Sequence, residues 1–164
     1  MVTAQQMRDT MRLWASGVSV VTSANEHGRS GMTVSAFNSL SLEPPLILVC
    51  LSKEANTAHL VTETGCFGVS FLGEQHAQLS DRFAGRIEPP AGGDRFTGLN
   101  VLHAETGVPL LADAVAWLDC KVHQIHDGST HWIVIGEVLA TGQGATEMPL
   151  LYYNRKYRAL AELT

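Results

Sequence analysis

The sequence is short of charge. Only 16% of its 164 residues are Asp, Glu, Lys or Arg, against roughly 25% in ordinary soluble domains. Lys and Arg number 11 against 16 acidic residues, a formal charge of −5. No run of basic residues exists, and the densest cluster is Arg155, Lys156 and Arg158. The electrostatic footprint of a nucleic-acid partner is missing. No uninterrupted apolar run approaches the roughly 20 residues of a membrane span. The N-terminus lacks the charged-then-apolar layout of a secretory signal. Together these predict a cytoplasmic protein with no membrane partner. The three cysteines, Cys50, Cys66 and Cys120, form no CxxC pair and indicate neither a zinc site nor a disulfide frame. Walker A, GxGxxG and GxSxG motifs are absent as well, which argues against P-loop, Rossmann and α/β-hydrolase chemistry.

What is present suits one globular domain spanning residues 1–164. The apolar fraction is 45% and the mean hydropathy +0.06, and a chain this long buries roughly 70% of its unfolded surface. With so few charges, some apolar surface is expected to be covered by a partner, most simply a second copy of the chain.

Thr3-x-x-Gln6 has the form of a capping box ahead of Met7, Met11 and Trp14, predicting a short helix that ends near Gly17. From Val18 to Ser23 the alternation reads as a strand, followed by turn chemistry at Asn25–Gly28. Met32 to Leu42 predicts a second strand or a strand-like ledge. Pro44–Pro45 breaks it, and the continuous apolar run Leu46–Leu51 predicts a strand buried on both faces. Asn56–Thr57 can cap a helix that reaches about Thr64 and stops at Gly65. Cys66–Leu72 is a further strand, and Glu74–Ala84 a helix closed by Gly85. Residues 86–98, with Pro89–Pro90, Gly92–Gly93 and Gly98, form the longest loop, a candidate lid or site edge. Val115–Ile125 and His131–Thr141 flank the hairpin signal Asp127–Gly128. Leu150–Tyr153 is a last short strand before a helix or tail from Asn154. Six or seven strands with two or three short helices follow. Strands succeed one another without helices between them, so the expected class is mainly β, an antiparallel barrel with short peripheral helices.

Two stretches carry candidate chemistry. From Met32 to Ser39 lie Thr33, Ser35, Asn38 and Ser39, which offer side-chain hydrogen bonds. Val34 and Ala36 between them are small. A flat heteroaromatic ring could approach the backbone over such a ledge; the same composition also suits an edge strand facing water. Ser52 and Lys53, with Asn56 and Thr57, follow a strand and open a helix, where free N–H groups favour an anion; ordinary capping uses the same residues. His123, His126 and His131, with Asp119 and Glu137 nearby, show no ligand spacing. Opposite strand parity separates His123 from His126, so no metal site is predicted.

Taken in order, Gly17–Thr22, Gly31–Phe37, Ser41–Cys50, Arg82–Ala84, Ile135–Val138 and Pro149–Tyr153 resemble the flavin reductase-like, FMN-binding split β-barrel family. Within it they look most like the short-chain reductase components of two-component flavin-dependent monooxygenases. The resemblance runs from about residue 10 to 160. It implies a Greek-key split antiparallel barrel and a homodimer with flavin near the subunit interface. It also implies reduction of FMN or FAD by NADH or NADPH, with release of reduced flavin to a separate monooxygenase. On that likeness Met32 to Ser39 would line the isoalloxazine ring. Ser52, Lys53, Asn56 and Thr57 would hold the ribityl chain and phosphate, with Arg82 close by. His131 would stand beside the nicotinamide, although the Gly-Asp-His wording of relatives here reads Gly128-Ser129-Thr130-His131. Tyr152, Arg155 and Tyr157 would close the nicotinamide side or dock the tail.

The implied reaction asks little of the protein. Hydride passes directly from nicotinamide to flavin, so no protein nucleophile or metal is required. The acidic net charge does not help an anionic dinucleotide to bind, and Lys53 and Arg82 are the expected local cations. Two other readings keep the scaffold: an enzyme that retains FMN and oxidises or oxygenates its own substrate, and a flavin-binding module without turnover.

Overall fold

At the N-terminus the capping box closes as its sequence predicts. The Gln6 amide donates to the Thr3 hydroxyl at 3.2 Å, and the Thr3 amide to the Gln6 side chain at 2.9 Å. The helix it starts, α1, covers Ala4–Met11 and stops well short of Gly17. The following residues are claimed by β1 (Ser16–Gly17), which pairs with Leu151 and Tyr152 far along the chain. The computed structural model describes residues 1–145 and 148–161.

The elements that follow are β2 (Ser19–Asn25), β3 (Gly28–Val34), β4 (Phe37–Leu42), β5 (Pro45–Ser52), α2 (Asn56–Thr64) and β6 (Cys66–Phe71). A 3-10 turn at Glu74–His76 leads into α3 (Ala77–Phe83). The remainder is β7 (Val101–Leu102), β8 (Leu110–Leu111), β9 (Ala116–Gly128), β10 (His131–Gln143), β11 (Leu151–Tyr153) and β12 (Lys156–Arg158). Seven of these strands form one antiparallel sheet in the order β3-β2-β6-β9-β10-β5-β4, and β1, β11 and β12 form a smaller one. Val21, Val34, Val49, Phe67, Cys120 and Val134, from six strands, meet in a single core cluster. The sheet therefore wraps around its own interior as a split barrel with Greek-key connectivity, capped by Ala58 and Val61 of α2. A second cluster, with Val20, Leu72, Phe83, Phe96, Leu111 and Leu150, lies beneath α3.

Burial falls differently from the sequence expectation. The apolar run of β5 is not buried on both faces. Ile47, Val49 and Leu51 point inward, whereas Leu46, Leu48 and Cys50 are half-exposed. The strand enclosed on both sides is β2, whose residues Ser19 to Ser23 are all buried. Its hydroxyls tolerate this because each finds an acceptor: Ser19 donates to the Val34 carbonyl at 2.9 Å, Ser23 to the Cys66 carbonyl at 2.8 Å, and Thr22 to the Pro109 carbonyl.

Four further expectations are corrected. The stretch from Met32 to Leu42 is two strands, broken at Ser35–Ala36. The residue capping α2 is Ala55, without a side-chain bond, and Asn56 opens the helix proper. The β9–β10 hairpin turns on Ser129–Thr130 rather than Asp127–Gly128, with Ser129 at φ 69°; the Asp127 carboxylate accepts from the Ser129 amide at 2.7 Å and fixes that turn. Beyond Asn154 the chain forms β12, not a helix.

Candidate functional site

The break between β3 and β4 makes the ledge. Ser35 and Ala36 belong to neither strand and stand exposed. The Ala36 carbonyl accepts from the Cys50 amide at 3.0 Å, which ties the bend to β5. Val34 turns its side chain into the core at 4% exposure, so it can serve a ligand only through its backbone. Thr33 faces the other way and donates to the Ser80 carbonyl at 2.6 Å, pinning the ledge to α3. Asn38 and Ser39 are exposed on β4.

Three neighbouring cavities follow one another along this ledge. The first, about 640 Å³, is lined by Met32, Thr33, Asn56 and Thr57 together with Arg29, Ser30 and Arg95. A neck of about 150 Å³ lies between Thr33, Ser35, Ser80, Ala84, Tyr152 and Tyr157. The third, about 500 Å³, is lined by Ser35, Ala36, Asn38, Trp14, Tyr152 and Arg155. Thr33 and Ala84 are common to the first cavity and the neck; Ser35 and Tyr152 are common to the neck and the third. The neck alone is below the roughly 300–1,000 Å³ of small-molecule sites. It adjoins the larger cavities through the lining residues it shares with each, and we read the three as one groove with a narrow middle.

The groove walls are held by the tail and α3. Tyr157 donates to the Asp81 carboxylate at 2.7 Å, and its oxygen lies 2.9 Å from the Ser80 hydroxyl, which can donate to it. Burial, reinforced by Asp81, raises its phenol above the ordinary value, so it remains a donor across physiological pH. Arg86 pairs with Asp81 at 3.0 Å. Its own pKa is raised, first by a hydrogen bond to Tyr152 and then by Asp81. Together these contacts fasten Tyr152 and Tyr157 to the C-terminal end of α3.

At the wide end, α2 presents its first turn; the Ala58 amide there donates to the Ala55 carbonyl at 2.9 Å, and only the Asn56 and Thr57 amides precede the helical ladder. Thr57, 1% exposed, exchanges a hydrogen bond with Ser30 at 2.8 Å. Ser52 and Lys53 stand one turn earlier. Lys53 lies over the Trp132 ring at 4.2 Å and pairs with Asp127 at 2.7 Å, and that contact holds the Asp127 carboxyl below its usual value. Arg82 donates to the Thr97 carbonyl at 3.1 Å and lines a neighbouring cavity with Leu79 and Leu99. His131 opens β10 directly across from Ser52, with Nδ1 at 2.9 Å from the Thr130 hydroxyl. Arg155 reaches Asp9 of α1 at 3.6 Å.

The structure thus gathers Met32, Thr33, Asn56 and Thr57 in one chamber and Ser35, Ala36, Asn38, Tyr152 and Arg155 in the other. It keeps Ser52, Lys53 and His131 together at the hairpin end of β5 and β10. Sequence reasoning passed over Arg29, Ser30, Arg95 and Trp14. Trp14 sits where helical spacing reads it as a packing residue, yet it is 72% exposed. Arg95 lies in an irregular loop, where no periodicity tells which way a side chain turns.

Residues 11–161 match the flavin reductase like domain. The chain is 34% identical over 160 residues to an FMN reductase (NADH) from Ancylobacter novellus, covering 98% of this chain and 87% of that one. It is 30% identical over 156 residues to the reductase subunit of a flavin-dependent monooxygenase from Rhodococcus jostii, covering 95% and 77%. Among solved structures, the NADH:FAD oxidoreductase of Streptomyces globisporus superposes with a TM-score of 0.88 at 32% identity, covering 99% of this chain and 98% of that one.

Proposed function

This chain belongs to the flavin reductase-like domain family, and we propose that it is an NAD(P)H:flavin oxidoreductase that reduces FMN or FAD and releases it to a separate monooxygenase. Two of the three relatives named above specify NADH, which makes NADH the expected donor. The observation that carries the reading is the row of adjoining cavities along Thr33–Asn38, large at both ends and small between.

The donor set fits a flavin. Ser35 and Ala36 are exposed outside both strands, and their small side chains permit close approach of a ring's polar edge to the backbone, the Ala36 carbonyl excepted because the Cys50 amide occupies it. The first turn of α2 and the Ser30–Thr57 pair offer donors to a phosphate at the other end. When bound, the flavin supplies the hydride acceptor, so the chain needs no nucleophile of its own. What the protein contributes is position and exclusion of water. Trp14 and Tyr152 wall the ring end, while His131, across from Ser52 at the other end of β5, is assigned to the nicotinamide by the family resemblance alone. With NADH in excess, the rate of its oxidation should rise hyperbolically with added FMN, far beyond one equivalent per protein. A single stoichiometric bleaching would contradict release of flavin.

We infer a homodimer. Leu40 and Leu42 on β4 are 50% and 84% exposed, Trp14 is 72% exposed, and Leu46, Leu48 and Cys50 are half-exposed on β5. A patch of this kind on a chain with few charges suits a second copy, and it borders the ring end of the groove through Leu48 and Trp14.

A further inference from the structure

We propose that Arg95 is the cation that holds the 5′-phosphate of the flavin; this rests on reading the groove as a flavin site. Arg95 is carried into the wide chamber by the loop of residues 86–98. The neighbouring Phe96 anchors that loop. It is 2% exposed and meets Phe83 edge-to-face with ring centroids 5.0 Å apart. The Arg95 guanidinium is held through one nitrogen only, Nη1, which donates to the Gly31 carbonyl at 3.0 Å and the Phe83 carbonyl at 3.1 Å. Neither acceptor carries a charge. Among the described residues no carboxylate pairs with it, and Nε and Nη2 have no acceptor. The glycine at position 85 leaves it room, since a Cβ there would lie 3.2 Å from Nη2.

Every other cation near the chamber is engaged elsewhere. Arg29 also lines it but forms two bonds to Asp94, at 2.7 and 3.2 Å. Lys53 is held by Asp127, and Arg82 by the Thr97 carbonyl in a different cavity. Glu54 stands at the rim, exposed to solvent, where water screens it. A half-buried guanidinium with donors to spare and only neutral partners is suited to a phosphate oxygen. The same chamber receives the Ser30–Thr57 hydroxyl pair and the first turn of α2, so three kinds of donor converge from β3, α2 and the loop.

Riboflavin is FMN without the phosphate, which makes the pair a direct probe. Dissociation constants for both should be measured by flavin fluorescence in the unaltered protein and in Arg95→Gln, Arg95→Lys and Lys53→Gln. Arg95→Gln should weaken FMN about tenfold to a hundredfold, the scale of a lost charged hydrogen bond, and move riboflavin by less than about twofold. Arg95→Lys should recover part of the FMN affinity, and Lys53→Gln should cost FMN less than Arg95→Gln does. Equal losses for FMN and riboflavin would mean that Arg95 only holds the loop, and would overturn the proposal. So would an unchanged FMN constant, or a rise confined to the KM for NADH, which would assign the cation to the nicotinamide's phosphates. If the unaltered protein binds neither flavin, the reading of the groove itself fails, and this outcome is distinct from the others.

Discussion

Gly31 shows how tightly single residues are constrained around the groove. A Cβ at this position would lie 2.6 Å from Cε1 of Phe83 and 3.2 Å from Phe96, both buried rings. Gly31→Ala should therefore destabilise the protein by about 1–3 kcal/mol through overpacking, read as a lower urea midpoint. An unchanged midpoint would show that α3 shifts away at little cost. His131 belongs to the same scale but to chemistry. It is exposed, and among the described residues its side chain bonds only to Thr130. His131→Ala should raise the KM for NADH by about two- to tenfold, the worth of one hydrogen bond, and leave the FMN dissociation constant unchanged. A parallel loss of flavin affinity or of folding would reassign His131 to a supporting role. The sequence offered Thr33, Ser35 and Thr57 as candidates because hydroxyls and small side chains suit a ring site, and the structure sets all three along the cavities of the ledge. What those residues touch was not legible from the sequence. Val34 turns inward and Lys53 is taken up by Asp127 for reasons that only the folded neighbours supply.

Among the elements, the loop of residues 86–98 is the most informative. It has no regular structure, yet it is fixed by Asp94, which accepts from Arg29, Thr97 and the Phe96 amide. Arg29 first, then Thr97 and the amide, keep the Asp94 carboxyl below its ordinary value of 3.8. A carboxyl with a depressed folded pKa contributes stability that is present above its unfolded value and lost as pH falls through the folded one. In Asp94→Asn the loss of stability below about pH 4 should be shallower than in the unaltered protein. Because the pair is partly exposed, the difference should stay within about 1 kcal/mol. Acid limbs that superpose would show that the carboxylate charge contributes nothing. Strand positions were readable because alternation and turn residues are local signals. Burial was not, since β5 is half-exposed on one face along its whole length, whereas β2 is closed on both, with α2 and α3 packed against it. A continuous apolar run reports that something covers it, not whether the cover is the same chain.

For the whole molecule, that open face predicts self-association. At micromolar concentration sedimentation should give the mass of a dimer, and Leu40→Glu should weaken the dimer at least about tenfold, since it places a charge in a desolvated contact. A monomer before any substitution would contradict the assembly. The fold class followed from the sequence through the order of its motifs, whereas the groove did not. The groove needs Trp14, Ser35 and Tyr152 from three distant segments to converge. The central claim is that this groove brings a flavin and a reduced nicotinamide together for direct hydride transfer and then lets the flavin go. Mixing the protein without oxygen against excess FMN and NADH, with and without deuterium at the transferred position, tests it most directly. All of the FMN should be bleached over many turnovers, with a slower single-turnover bleaching for the deuterated donor; FMN that stays oxidised, or is reduced only one for one with protein, would rule out hydride transfer with release in this groove.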